Sequence, residues 1–430
     1  MALGMLCGMQ ALRERLTLTN TLSRQKELFR SRETGVARIF TCGPSTYRRP
    51  HIGNYRSFMY EDLLVRYLEY LGYTVHRVIN FTDVEDKTVS EAAEAGESIQ
   101  AITGAVQDHF FQETELLKIK LPPRIPRATE SVDTAVRMIQ KLVADGHAYE
   151  HEGKYYFRPA TARNFGRLYG LDLRRMPKRS VRFGFDTYEG RRWNLGDFVL
   201  WHPEDKGGVM PEGSSWDTEI GRGRPGWNIQ DPAMIVENLG DQIDIQCGGI
   251  DNLFRHHDYN IAVMEAYTGA DFANVFLHGE HLFIDGEVMS KSAGNVTYPE
   301  HLLAQGYEAR HLRYVLMSVH YRTRMNFTAE AMAEAAAFVD SLRDRIASVL
   351  DSTVIPEHAA GLPELPHDHP AIQLVTAFEA HMGDDLSAAN ALAAVDEVLT
   401  ATESATPDES ARVHLAQAIR NIDEVLQILR

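Results

Sequence analysis

The sequence predicts an α/β fold in which a parallel sheet flanked by helices is followed by a bundle of helices. Two observations carry this. A strand, a turn, a helix and a second strand follow one another between residues 36 and 83, and a similar strand–helix alternation resumes beyond residue 225. From about residue 328 the composition turns Ala-rich and helical.

The elements follow in order. The apolar run "VARIFTC" (36–42) reads as a buried strand. In "YRSFMYEDLLVRYLEYLGY" Leu63, Leu64, Tyr67, Leu68 and Leu71 share one helical face, and Gly72 is the expected stop. "TVHRVINFTD" (74–83) is a second strand. Together they form a βαβ unit, the start of a Rossmann-like parallel sheet. Residues from about 90 to 225 read as an insertion, first helical ("TAVRMIQKLVADGHAYE"), then strand-like ("GKYYFRP"), then rich in Gly, Pro and Arg. Beyond 328, "STVIPEHAAGLPELPHDHP" breaks the helices, and 371–404 and 409–430 complete a bundle. The expected plan is an N-terminal segment (1–36), a Rossmann-like catalytic domain (37–327, with the inserted subdomain at about 90–225) and a helical bundle (328–430).

A chain of 430 residues can bury a sizeable core in two or three domains. The net charge of -16 argues against a simple electrostatic nucleic-acid binder, although a local basic face remains open. The 3 cysteines, Cys7, Cys42 and Cys247, make no disulfide framework, so a reducing cytoplasm is expected. No run is long and apolar enough to span a membrane. The start, "MALGMLCGMQALRER", lacks a basic lead and reads as an N-terminal extension; Met9 is an alternative first residue.

Two short stretches carry chemistry. "PHIGN" (50–54) sets His51, Gly53 and Asn54 at a helix N-terminus, where free N–H groups and the positive dipole end attract an anion. Alone, such a tetrapeptide is weak. "GEVMSKSAGN" (286–295) places Lys291 between Ser290 and Ser292 in a polar loop that can close on a triphosphate. In isolation it is a solvated turn. The two together, after a βαβ start, point to a nucleotide site.

These stretches resemble the HIGH and KMSKS signatures of class I aminoacyl-tRNA synthetases. Within that class the chain resembles the cysteinyl-tRNA synthetase family. The resemblance begins at "LTLTNTLSRQKELF" and runs through "FTCGPSTY", "GYTVHRVINFTDVEDK", "PPRIPRATES", "DFVLWHP", "GRPGWNIQDPAM", "FRHHDYNIAV", "HGEHL", "RYVLMSVHYR" and "FEAHMGDDLSAANALAAV". It implies activation of an amino acid by ATP with Mg²⁺, then transfer of the aminoacyl group to an acceptor. It implies His51, Asn54 and Lys291 as catalytic residues, and Gly53, Gly248, Gly249, Asp251, Ser290 and Ser292 around ATP. It places Cys42, Thr82, Trp227, Asp231, His256 and Asn260 in the amino-acid pocket. Asn54 stands for the second histidine of HIGH, and Val288 for the first lysine of KMSKS.

In the family a zinc ion held by two cysteines, a histidine and a glutamate binds the substrate thiolate. Here Cys42 and His256 match two of those positions, but Asp231 stands at the second cysteine and Asn260 at the glutamate. Asn228 and Gln230 replace a further histidine and glutamate. A carboxamide is a poor zinc ligand, so these changes put zinc in doubt, although Cys42, Asp231 and His256 are legitimate ligands; the expectation is a metal-free pocket in which Asp231 and Asn260 bind the substrate side chain directly. Cys247 is expected as a buried filler, His257 as structural, and Cys7 without a role. The sequence ends after "IRNIDEVLQILR", where family members continue into a segment that helps read the anticodon; in extent it resembles the mycothiol-pathway cysteine ligases, which act on an amino sugar.

The expected protein is therefore a monomeric, non-membrane ligase whose partners are ATP, an amino acid, and either tRNA or a small amine or carrier as acceptor. A working cysteinyl-tRNA synthetase is the rival reading. A non-catalytic binding module is a third, opposed by the retention of His51 and Lys291.

Overall fold

The computed structural model describes residues 15–170, 197–204, 210–290 and 292–430. β1 (Thr17–Asn20) and β2 (Gln25–Leu28) form an antiparallel hairpin. β3 (Val36–Thr41) and β4 (Thr74–Ile79) pair in parallel around the Ile52–Tyr70 helix. β5 (Ala148–His151), β6 (Lys154–Phe157), β7 (Phe198–Pro203) and β8 (Gly223–Pro225) make an antiparallel sheet in that order. β9 (Ile243–Gly249) and β10 (Ala273–Gly279) complete the central sheet, and β11 (Leu282–Ile284), β12 (Glu287–Val288) and β13 (Met325–Phe327) form a small one.

The central sheet has the order β10-β9-β3-β4 and is parallel throughout. From β3 the chain crosses outward to β4; from β9 it crosses outward the other way to β10. The order therefore reverses between β3 and β9, and in such sheets a crevice opens beyond the strand ends at that point. Thr41 lies opposite Cys247, so Cys42 and Gly248 emerge side by side at the edge of the crevice.

The Ile52–Tyr70 helix is buried along most of its length, including Leu63, Leu64, Tyr67 and Leu68. Gly72 follows it in the left-handed region, with φ 81. Asp62 ties the helix to the C-terminal part of the chain. It pairs with Arg66 and Arg313, and Arg313 also donates to the Leu426 carbonyl at 2.6 Å. Burial pushes the Asp62 carboxyl up, but Arg313 and Arg66 outweigh it and hold the group below its ordinary value. Helices Ala329–Leu350, Pro370–Met382, Ala388–Ala405 and Glu409–Leu426 pack on this side. Three of them start on side-chain caps, Thr328 accepting from the Ala331 N–H, His369 from the Ala371 N–H and Asp408 from the Ala411 N–H.

Three details differ from the sequence reading. The helix begins at Ile52, so Gly53 and Asn54 are helical and His51 is the cap. The second strand stops at Ile79, and Phe81 and Thr82 form single bridges to Arg127 and Ser45 instead. The stretch 371–404 is two helices, because Asp385 and Leu386 both adopt φ 59. Asp385 accepts there from the Thr19 N–H and the Tyr321 hydroxyl, each at 2.8 Å.

Candidate active site

A cavity of about 480 Å³ opens at the crevice between β3 and β9. Its walls include Cys42, His51, Asn54, Gly249, Asp251 and Ser290. One end is built by backbone. The Asn54 side-chain oxygen accepts from the His51 N–H at 3.0 Å, closing the first turn of the helix. That bond turns the amide NH₂ of Asn54 outward, where it can donate to an anion. His51 Nδ1 is buried without a hydrogen-bond partner. Burial also lowers the His51 pKa, so a neutral imidazole with an open nitrogen faces this end.

Glycines set the width of the cavity. A Cβ on Gly53 would sit 3.1 Å from the His51 ring and 3.7 Å from Met289 Cε. A Cβ on Gly249 would overlap the Asp251 carboxylate, and one on Gly248 would come 2.8 Å from the His257 ring. Tyr60 fixes Gly248 from below, donating to its carbonyl at 2.8 Å and accepting from its N–H at 3.0 Å. Asp251 lines this cavity and a neighbouring one of about 270 Å³ that also takes in Gly53 and His51.

The opposite wall is the loop from Met289. Asn295 closes it, accepting from the Ser290 N–H at 2.8 Å and donating to the Val288 carbonyl at 3.3 Å. Ser290 and Ser292 hydroxyls lie 3.2 Å apart. Lys291 lies outside the described residues. The Thr297 carbonyl accepts the Ile52 N–H at 3.0 Å, which holds this loop against the helix start. Arg49 braces the wall from outside through Glu113 at 2.6 Å and Glu300 at 2.7 Å.

Behind Cys42, which lines the cavity, side chains cluster around the buried Asp231. Its Oδ2 lies 2.6 Å from His256 Nε2, 3.4 Å from Asn260 Nδ2 and 3.7 Å from Cys42 Sγ. Its Oδ1 accepts from Asn80 Nδ2 at 3.1 Å. Trp227 closes the side of this cluster, its ring 5.3 Å from that of His256. Thr82 reaches it only through Asn80, which donates to Thr82 Oγ1 at 3.3 Å. The structure thus joins Cys42, Trp227, Asp231, His256 and Asn260 directly and Thr82 at one remove. Asn228 and Gln230 turn away, donating to the backbone carbonyls of Val199 and of Val84 and Pro225.

Sequence reasoning missed Asn80 and did not foresee that His257 meets Cys42. A turn of π-helix over Leu253–His257 widens the backbone there. His257 Nε2 comes 3.0 Å from Cys42 Sγ, and its Nδ1 comes 2.8 Å from His278 Nε2. Burial, and then His278, push the His257 pKa well down; burial, and then Asp231, push the Cys42 thiol up. Without a metal the pair is therefore a neutral thiol and a neutral imidazole. The doubled "HH" at 256–257 was the one available signal. Cys247 is buried in β9, as a filler would be.

Donor atoms of Cys42, His256 and His257 lie within 4.8 Å of one another, close enough to hold an ion. The set is not the four-ligand zinc centre implied by the resemblance. Asp231 is engaged by His256 and Asn80, and Asn260 brings a carboxamide. The residues present do not fit that centre, and no step below passes through zinc.

The fold and cavity define a nucleotide-binding enzyme of the doubly wound α/β type, with its site at the switch point. The description "tRNA synthetases class I (C) catalytic domain" matches residues 28–337. The chain belongs to this family of class I ligases. It is 36% identical over 425 residues to a cysteine–tRNA ligase of Chlamydia pneumoniae, covering 97% of this chain and 87% of that one. A cysteine–tRNA ligase of Leptospira interrogans is 34% identical over 416 residues, covering 95% and 86%. Among solved structures, Mycobacterium tuberculosis methionyl-tRNA synthetase in complex with methionyl-adenylate aligns with TM-score 0.61 at 16% identity over 92% of this chain and 90% of that chain. That likeness shows the fold alone. No helix among the described residues is long and apolar enough to cross a membrane.

Proposed function

We propose that the chain activates an amino acid with ATP and passes the aminoacyl group to an acceptor, with an amino-acid specificity changed from that of its cysteine–tRNA ligase relatives. The observation that carries the activation reading is the switch-point cavity, walled by the His51 helix start on one side and the Ser290 loop on the other. The substrate carboxylate attacks the α-phosphorus, the bond to the β-phosphate oxygen breaks, and pyrophosphate leaves. Mg²⁺ bound with ATP would neutralise phosphate charge. His51, Asn54 and the helix N–H groups donate to phosphate oxygens, and Lys291 with Ser290 and Ser292 stabilises the leaving pyrophosphate. Asp251 accepts from ribose hydroxyls, while Gly248 and Gly249 let adenosine lie against the backbone. The amino acid is held at the Cys42–Asp231 end, beside Trp227.

The adenylate carbonyl is open to any nucleophile that reaches it, so a tRNA ribose and a small amine or carrier are both chemically sufficient acceptors. A second reading, cysteine–tRNA ligation itself, is favoured by the identity of 34–39% to ligases of that name. Pyrophosphate exchange over a panel of amino acids tests the first step. Charging of total tRNA with the amino acid that supports exchange tests the second. Fast cysteine charging would establish the second reading and reject the altered specificity.

A further inference from the structure

Behind Cys42, which lines the cavity, lies a buried cluster of hydrogen-bond acceptors around Asp231. Asp231 is 2% exposed and Asn260 0%. A carboxylate offers about four acceptor sites, and three nitrogen donors approach this one, from Asn80, His256 and Asn260, with the Cys42 thiol beyond them at 3.7 Å. Among the described residues its one ion-pair contact is His256; no Lys or Arg pairs with it. The Asn260 oxygen is buried without a partner.

Cys42 adds a further acceptor. Its sulfur is 3.0 Å from His257 Nε2 and 3.7 Å from Asp231 Oδ2. The shorter contact takes the thiol proton. His257 then carries its own proton on Nδ1 and donates to His278 Nε2, and His278 Nδ1 donates to Thr21 Oγ1 at 2.9 Å. This tautomer sequence gives each ring nitrogen one role. It points the Cys42 proton inward and leaves sulfur lone pairs toward the cavity that Cys42 lines.

We infer that this end of the cavity selects an amino acid whose short side chain ends in a hydrogen-bond donor, a β-ammonium ahead of a β-hydroxyl, and both ahead of cysteine and alanine. The inference rests on the amino-acid activation reading above. A donor that reaches Cys42 meets Asp231 beside it, so one group serves both. An ammonium brings three donors and the positive charge the carboxylate lacks. A hydroxyl brings one donor. A thiol is a weak donor, and a methyl leaves the acceptors unpaired, which is where polar sites discriminate most.

The test uses the full chain and four amino acids of similar size: L-2,3-diaminopropionate, serine, cysteine and alanine. In pyrophosphate exchange, kcat/KM for diaminopropionate should exceed that for alanine by at least about 10²-fold, with serine between. Asp231→Asn should bring diaminopropionate down to the level of serine. Calorimetric binding of the same four with a non-hydrolysable ATP analogue should follow the same order, and it reads the pocket independently of catalysis. Cysteine or alanine binding as tightly as diaminopropionate overturns the inference, and the activation reading then stands or falls on exchange alone. The expected binding order without exchange by any amino acid supports the inference and rejects activation. One zinc per chain together with preference for cysteine also overturns it. The wild-type order decides the matter even if the Asp231 variant fails to fold.

Discussion

The two ends of the cavity are made by different means. The His51 end is mostly backbone: a helix start closed by Asn54, with Gly249 on its wall and Gly53 on that of the neighbouring cavity, where a side chain would crowd Asp251 or His51. The Asp231 end is mostly side chains, drawn from residues 42, 80, 231 and 256–260 and joined through one carboxylate. A backbone site tolerates change around it as long as its local geometry survives. A side-chain network changes character when a single member changes charge. On the proposed reading, activation chemistry belongs to the first end and substrate choice to the second, so the two can diverge separately.

The sharpest way to break the comparison is to restore a metal-binding donor set at one end only. Purified protein should contain well under one zinc per chain after dialysis, and Asp231→Cys with Asn260→Glu should raise it to one. Elemental analysis reads both, and stoichiometric zinc in the wild type would remove the distinction drawn here for the Asp231 end.

Next in size is Lys291→Ala, which should lower pyrophosphate exchange by about 10²–10³, the usual cost of removing one preorganised charge. The melting temperature should stay put. Exchange at the wild-type rate would remove Lys291 from the chemistry.

Acid should weaken the core behind the Asp231 end. Burial, and then Arg322, lower the His278 pKa from 6.5 to about 3. The unfolded chain therefore binds a proton that the folded one refuses between those values, so stability falls as pH drops below 6.5. The loss is about 1.4 kcal/mol per pH unit from this group, or about 2 kcal/mol by pH 5. Urea midpoints at pH 7 and pH 5 measure it. His278→Gln should flatten the fall; an unchanged slope would show that His278 does not cause it.

The smallest effect separates stability from function at the His51 end. Gly53 is helical, so Gly53→Ala should gain up to about 1 kcal/mol of helix stability. The added carbon crowds the His51 ring, so KM for ATP should rise about fivefold or less, within the 0.3–1 kcal/mol typical of helix-terminus interactions with anions. A lower KM would show that Gly53 does not set the width of the cavity.

Legibility divided along the same line. Local order and residue type announce a helix start and a polar loop, so His51, Gly53, Asn54, Ser290 and Ser292 were readable from short stretches. The pocket at the other end was readable only through the family resemblance, which located Cys42, Asp231, His256 and Asn260 without their contacts. Asn80 was invisible because nothing in "VINFTD" says which way its amide points. His257 was taken as structural because its meeting with Cys42 depends on a π-helical turn that no simple periodicity predicts.

By itself, then, the sequence determined the βαβ start, the buried face of the Ile52–Tyr70 helix and the helix start at His51 with its glycine, since each rests on interactions between neighbours along the chain. Only the tertiary structure decided what Asp231 does. Its partners at 42, 80, 256 and 260 lie on separate segments, and their distances are set by the register of β3 against β9 and the placing of the helices beyond them. Hydrogen bonds act over about 3 Å, and a chain order that holds those residues far apart carries no record of such a distance until the sheet has closed it.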